Sequence, residues 1–370
     1  MDKEAYMKRA LELAERGAGY TSPNPMVGCV VVKDGEIIAE GYHEKYGEFH
    51  AERNALLHCS RDPEGADLYV TLEPCCHYGK TPPCTQIIIE KKIARVFVGS
   101  LDSNPLVSGN GIRILREAGI SVETGILEEE CRNLNEVFYH YMETNQPFVV
   151  MKFAMSLDGK IACATGDSRW VTGETARNHV HELRKRYMGI MVGIGTVLAD
   201  DPLLNCRVAE NADPVRIICD SSIRIPAGSQ IVRTAKDIPT IVACRKKFYE
   251  DDHKQEKIQK LAAAGVEFIP TSGAHGVNLN QLTEELGRRG IDSILLEGGG
   301  TLNSSALDAG IVNKVYAYIA AKLVGGVDAP TPISGMGADR MADAVQLERV
   351  SVRYLGDDLC ICGYPVYKGR

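Results

Sequence analysis

An α/β protein of two domains is what this sequence predicts, and three features predict it. Short apolar, β-type runs alternate with helical periodicity along nearly the whole chain, which implies sheets covered by helices on both faces. The 370 residues exceed what one hydrophobic core usually serves. The alternation is interrupted at Asn145-Gln146-Pro147, so that residues 1–146 and 147–370 read as separate domains.

In the first domain, a charged helix over residues 3–16 stops at Gly17. The run MVGCVVVKDGEIIAEG gives two strands joined at Lys33-Asp34-Gly35, since Asp-Gly between apolar runs is a hairpin signal. HAERNALLHC (50–59) is a helix, LYVTL (68–72) a buried strand that feeds Glu73-Pro74-Cys75, and another helix follows Pro82-Pro83. Strand ARVFVG, a helix around 109–118, strand ISVETG and a single helix from Glu128 to Tyr141 complete the domain.

The second domain opens on FVVMKFAMSLDGKIA and a helix over 174–187. Strands GIMVGIG, PVRIICD, PTIVACR and VEFIP follow, then a helix over 279–289, strand SILLEGG, a helix over 301–309 and strand KVYAYIAAKL. VSVRYLGDDLCICGYPVY has the alternation of terminal strands.

Composition narrows the function classes. A net charge of −7 argues against a protein whose main business is a nucleic-acid backbone. No stretch approaches the ~18 apolar residues of a membrane helix, and the charged start MDKEAYMKRALELAERG has no secretory h-region. The twelve cysteines are scattered, and Cys29, Cys219 and Cys244 sit inside apolar runs as small buried hydrophobes. The chain therefore reads as cytoplasmic, with reduced thiols and neither nucleic acid nor membrane as a partner.

The densest chemistry lies in His50-Ala51-Glu52, Pro74-Cys75 and Cys84. One imidazole and two thiolates hold Zn²⁺ and leave its fourth position for water, whose pKa the metal lowers toward neutrality. Glu52, two residues from the ligand, can take the water's proton and pass it to a ring nitrogen and departing ammonia. Both ligand groups fall at helix starts, whose positive ends favour thiolate over thiol. A plainer reading is a structural zinc with Cys76 or His77 as fourth ligand, or no metal at all. The pattern resembles the cytidine-deaminase-like superfamily, whose signature is H-x-E followed by P-C-x-x-C. That resemblance selects Cys75, directly after the proline, and leaves Cys76 to packing. One departure stands out: eight residues separate Cys75 from Cys84.

Those eight residues narrow the family. With Asn24 inside Pro23-Asn24-Pro25 and with Val27-Gly28, the insertion CHYGKTPP resembles the deaminase half of the bifunctional riboflavin-biosynthesis deaminase–reductases. The resemblance implies a three-layer deaminase domain in which Asn24 reads the pyrimidine edge and Lys80 meets the ribose phosphate as a point charge. His43 would line the same pocket. Read alone, Lys80 is equally a solvated loop lysine and His43 a structural histidine.

The second domain lacks G-x-G-x-x-G, which removes the dinucleotide-binding Rossmann fingerprint. It has instead two glycine turns between strand and helix, Gly193-Ile194-Gly195 and Gly298-Gly299-Gly300, where backbone amides can receive phosphate. Together with MKFAMSLDGKIA, SRWVTG, VGIGTVLADDPLLNCR and RIICDS, they resemble the reductase half of the same family, which has a dihydrofolate-reductase-like α/β fold. The resemblance implies NADPH contacts at Ala154, Trp170, Thr196, Asp200 and Ser222, and along Gly299, Gly300, Thr301, Leu302, Asn303, Ser304 and Ser305. It places the reductase substrate at Ser168, Arg184, Leu204, Arg207 and Glu297. Arg184 and Arg207 suit a phosphate by bidentate hydrogen bonds, and Glu297 suits sugar hydroxyls or the base. Trp170, the only tryptophan, is equally a core residue by type. Lys152 is a candidate for assisting protonation during hydride transfer, against the plainer reading of a solvated strand-edge lysine.

The resemblance implies a bifunctional enzyme using Zn²⁺ and NADPH on a phosphoribosyl-pyrimidine. It would deaminate 2,5-diamino-6-(5-phosphoribosylamino)pyrimidin-4(3H)-one and then reduce the ribosyl group to ribityl. Domains of this superfamily commonly associate, so a homo-oligomer, dimer or tetramer, is also implied. The rivals are a nucleoside or nucleic-acid deaminase with an accessory domain, and a catalytically silent zinc-stabilised scaffold.

Overall fold

The computed structural model describes residues 2–104, 107–209 and 212–367, and the chain divides into two units, Met1–Asn145 and Gln146–Arg370. In the first unit the helices are α1 (Lys3–Ala14), α2 (Ala51–Leu57), α3 (Cys84–Glu90), α4 (Asn110–Glu117), α5 (Glu128–Leu134) and α6 (Glu136–Thr144). Its strands are β1 (Gly28–Lys33), β2 (Glu36–Tyr42), β3 (Asp67–Leu72), β4 (Arg95–Ser100) and β5 (Ser121–Thr124), in the order β2-β1-β3-β4-β5. β1 runs antiparallel to both β2 and β3, and β3, β4 and β5 are parallel.

Successive side chains of a strand point to opposite faces, and both faces here are apolar. Cys29, Val31, Val70, Leu72, Val96 and Val98 pack with α2, α3 and α4. Val30, Val32, Tyr69 and Phe97 face Tyr6, Met7, Ala10 and Leu13 of α1. The result is a three-layer sandwich. The hairpin turns at Asp34 and Gly35, both at positive φ, as the Asp-Gly pair predicts.

One element differs from expectation. The helix expected from Glu128 to Tyr141 is broken at Asn135, whose φ of −106° and ψ of 26° leave the helical region. Its side chain bonds instead to both backbone groups of Met26.

The second unit has helices α7 (Glu174–Arg186), α8 (Ile194–Asp200), α9 (Gln230–Arg233), α10 (Lys246–Tyr249), α11 (Gln255–Ala263), α12 (Leu279–Arg288) and α13 (Gly300–Ala309). Its strands are β6 (Phe148–Ser156), β7 (Gly189–Gly193), β8 (Val215–Cys219), β9 (Thr240–Arg245), β10 (Val266–Thr271), β11 (Ser293–Leu296), β12 (Val312–Ala320), β13 (Gln346–Leu355) and β14 (Asp358–Val366). They form one sheet in the order β10-β9-β8-β7-β11-β6-β12-β14-β13. The strands from β10 to β12 are parallel, and β14 and β13 close the edge antiparallel. Alternate residues again feed two cores. Met191, Ile217 and Ala243 meet α12 and α13, while Val192, Ile218 and Val242 meet α8, α9 and α11. Of the helices, α9 to α11 were not anticipated from the sequence, and all three are nine residues or shorter; α8 opens at the Gly193-Ile194-Gly195 turn as expected.

All twelve cysteines are free, and Cys29, Cys219 and Cys244 are buried as their apolar runs predict. Among the described residues no helix is long and apolar enough to cross a membrane.

Candidate active sites

His50 is the N-cap of α2 and Glu52 lies in its first turn. α2 can lie close on β2 because Gly41 faces it: a Cβ there would stand 2.5 Å from Ala51 O and Ala55 N. Cys75 follows β3, and Cys84 opens α3. The fold thus brings three donors from three segments together. Cys75 Sγ lies 3.4 Å and Cys84 Sγ 3.6 Å from His50 Nδ1, and the Cys84 backbone N–H donates to Cys75 Sγ at 3.3 Å. All three ligand atoms lie within 4.8 Å of one another. Neither Cys76 nor His77 belongs to this group, so the four-ligand structural site has no fourth member among them.

The donor set fits zinc by its chemistry as well as by its spacing. Hydrogen bonds from Cys84 and then His50 hold the Cys75 thiol well below its ordinary value, against the effect of burial. The bond with Cys75, together with burial, drives Cys84 up, so the metal-free pair shares a proton that a metal would displace. Glu52 is 3% exposed, and burial, helped by the Cys75 charge, raises it to about 7. A carboxyl poised there can both accept and give a proton near neutral pH.

A cavity of about 370 Å³ opens onto this centre, and Asn24, His43, Glu52, Cys75, Lys80 and Asp102 are among its lining residues. His43 Nδ1 lies 3.0 Å from Phe49 O, which requires the proton on Nδ1; Nε2 then accepts from Asn24 Nδ2 at 3.2 Å. Burial lowers the pKa of His43 and keeps the ring neutral. The Asn24 carboxamide is thereby oriented, with its oxygen left as an acceptor. Lys80 is exposed, and its Nζ sits 3.9 Å from the centre of the Tyr46 ring. Asp102 was not singled out from the sequence. Burial, with Glu73 and Cys75 adding to it, raises its carboxyl to about 6. Its one legible signal is its place just past the carboxyl end of β4.

In the second unit, parallel pairing of β7 with β11 sets the two glycine turns side by side at the carboxyl ends of their strands. At Gly195 and Gly299 a Cβ would meet nothing within 4 Å, so both turns face open space. Behind the second turn, Asn303 Oδ1 is buried without a hydrogen-bond partner. This cradle fits a dinucleotide phosphate. The stretch along α13 is not uniform, however. The side chains of Leu302, Asn303 and Ser304 are buried, and Asn303 Nδ2 donates to Pro332 O. Gly299, Gly300, Thr301 and Ser305 are the more open positions. Thr196, Ser222, Ala154 and Ser168 are half-buried, and Asp200 and Arg207 exposed. Trp170 is 63% exposed with the Arg177 guanidinium 4.6 Å from its ring centre, so the core reading of this residue is excluded.

Register puts Lys152 of β6 beside Glu297, which directly follows β11. Glu297 Oε1 accepts from Arg184 Nε at 2.7 Å, and Oε2 from Arg184 Nη2 at 3.1 Å and Lys152 Nζ at 3.3 Å. The Arg184 fork, expected to grip a phosphate, is therefore turned onto Glu297, and its Nη1 reaches Asn205 O at 3.3 Å. Of the two arginines, only Arg207 remains exposed for an anion. Lys152 is likewise no solvated edge lysine: its side chain is 15% exposed. Leu204 is buried with φ of 54°, so its side chain faces the protein interior. His181, also missed from the sequence, lies close enough to this cluster for burial and the Arg184 and Arg207 charges to lower it to about 4.

Comparison with known proteins decides the family. Residues 147–361 match the RibD C-terminal domain family, and residues 1–100 the cytidine and deoxycytidylate deaminase zinc-binding region. The riboflavin biosynthesis protein RibD of Actinobacillus pleuropneumoniae is 52% identical over 357 residues, covering 96% of this chain and 93% of that protein. The chain belongs to the RibD family. RibD of Escherichia coli (strain K12) is 40% identical, with 98% of this chain and 99% of that protein covered. The solved Thermotoga maritima diaminohydroxyphosphoribosylaminopyrimidine deaminase/5-amino-6-(5-phosphoribosylamino)uracil reductase superposes with a TM-score of 0.86 at 39% identity, covering 98% of each chain. A RibD structure from Acinetobacter baumannii gives the same TM-score at 36% identity and covers 98% of this chain and 99% of that one. As a member of this family, the chain is a deaminase and a reductase of riboflavin biosynthesis, and Zn²⁺ and NADPH are its cofactors.

Proposed function

We propose that the two units take consecutive steps on one phosphoribosyl-pyrimidine. The observation that carries this is the His50–Cys75–Cys84 cluster beside a buried Glu52, in a chain whose second unit holds its own anion cradle and charged cluster. In the first step, 2,5-diamino-6-(5-phosphoribosylamino)pyrimidin-4(3H)-one and water give 5-amino-6-(5-phosphoribosylamino)uracil and ammonia. His50, Cys75 and Cys84 would hold zinc, which supplies Lewis-acid activation of the attacking water. Glu52 takes the water's proton and delivers it to the ring nitrogen and the leaving ammonia. Asn24, oriented by His43, accepts from the pyrimidine edge, and Lys80 meets the ribose phosphate at the pocket mouth.

In the second step the ribosyl group becomes ribityl. NADPH, when bound along Gly299–Ser305 and the Gly193–Gly195 turn, supplies the hydride. Arg207 faces the substrate phosphate, Glu297 its hydroxyls, and Lys152 assists protonation during the hydride transfer.

Pure zinc-loaded protein incubated with the diamino substrate and NADPH should release ammonia and oxidise NADPH in succession. Absence of both would defeat the proposal. Chelation of the metal should abolish ammonia release while NADPH oxidation on supplied uracil intermediate persists. Loss of both together would contradict the separation of the two sites.

We also propose a cytoplasmic homo-oligomer that uses the sheet edge at β13. That strand is exposed along its length, and Val350, Val352 and Tyr354 are 53%, 58% and 77% exposed. An unpaired edge with apolar side chains is a surface that a second copy can cover. Val352→Lys should lower the mass seen by light scattering; an unchanged mass would place the interface elsewhere.

A further inference from the structure

The break between α5 and α6 bears on the deaminase pocket. Asn135, at the break, is 2% exposed. Its Oδ1 accepts from Met26 N at 2.8 Å and its Nδ2 donates to Met26 O at 2.9 Å. The carboxamide thus pairs with one residue's backbone as a neighbouring strand would, exchanging both bonds. Asp lacks the donor for this, Leu lacks both groups, and Gln is a methylene too long.

Met26 is not an arbitrary partner. It lies between Asn24-Pro25 and Val27, all three of which line the 370 Å³ cavity. The segment from Thr21 to Val27 has no regular structure. Besides the Met26 pair, its backbone bonds include Asn24 N to Thr21 O and His43 N to Val27 O, at 2.8 and 2.9 Å. The interrupted helix also contributes the other wall, since Phe138, Tyr141 and Met142 of α6 line the same cavity. A continuous helix over 128–144 would keep Asn135 in helical geometry and could not serve both ends.

We infer that Asn135 is a positioning residue for the deamination step, which presets the Asn24–Val27 segment to receive the pyrimidine. The inference rests on the reading of Asn24 as a base contact. Loss of two hydrogen bonds to a recognition segment, each a modest net contribution, translates into about a tenfold weaker Michaelis complex.

The test uses the full-length, zinc-loaded protein. Asn135→Ala should raise KM for the diamino substrate about tenfold with kcat within about twofold, and leave NADPH oxidation on supplied uracil intermediate unchanged. Asn135→Asp adds a readout that a purely structural role would not move. Near neutral pH the new carboxylate loses the donor and faces Met26 O. As pH falls toward 5 the buried carboxyl protonates, regains an O–H donor, and KM relative to wild type should fall back toward one. Leu115→Ala, a fully buried α4 residue outside the pocket lining, serves as the matched destabilised control. A comparable KM rise in that control, or no KM rise in Asn135→Ala, would overturn the inference. Asn24→Ala separates the two levels: if it leaves KM unchanged the base-contact reading fails, and if it raises KM while Asn135→Ala does not, only the positioning role fails.

Discussion

Glu52→Gln should reduce ammonia release by at least about a thousandfold while leaving the NADPH-dependent step on supplied uracil intermediate within about twofold of wild type. Gln has the shape of Glu, so the pocket and the three metal donors stay in place, and zinc content should remain one per chain. What it lacks is a site for the proton. Glu52 is held near neutrality by burial, beside a thiol that its neighbours keep acidic, whereas Glu73 of the same cavity accepts from the backbone N–H groups of Gly109 and Gly111. Asp102 lines the same cavity, but its Oδ1 already accepts from Asn104 N at 2.7 Å. The folded state should not suffer, because a neutral amide at a buried position costs less to desolvate than a carboxylate. Thermal stability equal to or above wild type is therefore part of the expected result. Residual deamination near the wild-type rate would remove Glu52 from the proton path. Loss of both activities in a folded variant would remove the division of labour between the units.

That residue was legible from the sequence because the zinc centre is assembled from short-range patterns. His50 and Glu52 share one helix start, and Cys75 and Cys84 flank one loop, so type and spacing carry the chemistry. Choosing Cys75 over Cys76 needed the resemblance, and the geometry agrees with it: Cys76 is outside the donor cluster. The alternation of strand and helix likewise exposed the α/β layers. Long-range pairing was not legible. Nothing near Glu297 in the sequence announces that Arg184, 113 residues away, and Lys152, 145 residues away, will meet it. The result is that the fork expected to bind phosphate binds a carboxylate instead. The break at Asn135 was invisible for the opposite reason. Local periodicity from Glu128 to Tyr141 is continuous, and a tertiary bond to Met26 overrides it. The short helices α9 to α11 have little periodicity to read, since even the nine residues of α11 are only two and a half turns.

The Glu297 cluster sets up the largest effect in the second unit. Burial alone would push this carboxyl up, yet Arg184 and Lys152 outweigh burial and hold it at about 2. A folded-state value below the unfolded one means that the contribution to stability is fully present above the ordinary carboxylate value of 4.5 and is lost as pH falls through about 2. A depression of that size corresponds to about 3 kcal/mol. Glu297→Gln removes the anion and leaves two cations, each 15% exposed, without their counter-charge. Breaking a buried pair in this way costs about 3–5 kcal/mol. The reductase step should fall by more than about a hundredfold, because Lys152 loses the partner that fixes its ammonium and Arg184 is freed from the loop geometry at Asn205. The acid limb of the stability curve should also flatten between pH 4.5 and 2 relative to wild type. Replacing all three members of the cluster, Glu297→Leu with Arg184→Leu and Lys152→Met, tests whether the cluster serves stability or chemistry. Apolar side chains of similar bulk can restore the fold without restoring charge, so stability should recover while NADPH oxidation stays lost. Recovery of both would assign the cluster to folding alone, and a single variant with wild-type reductase activity would remove Glu297 from the site.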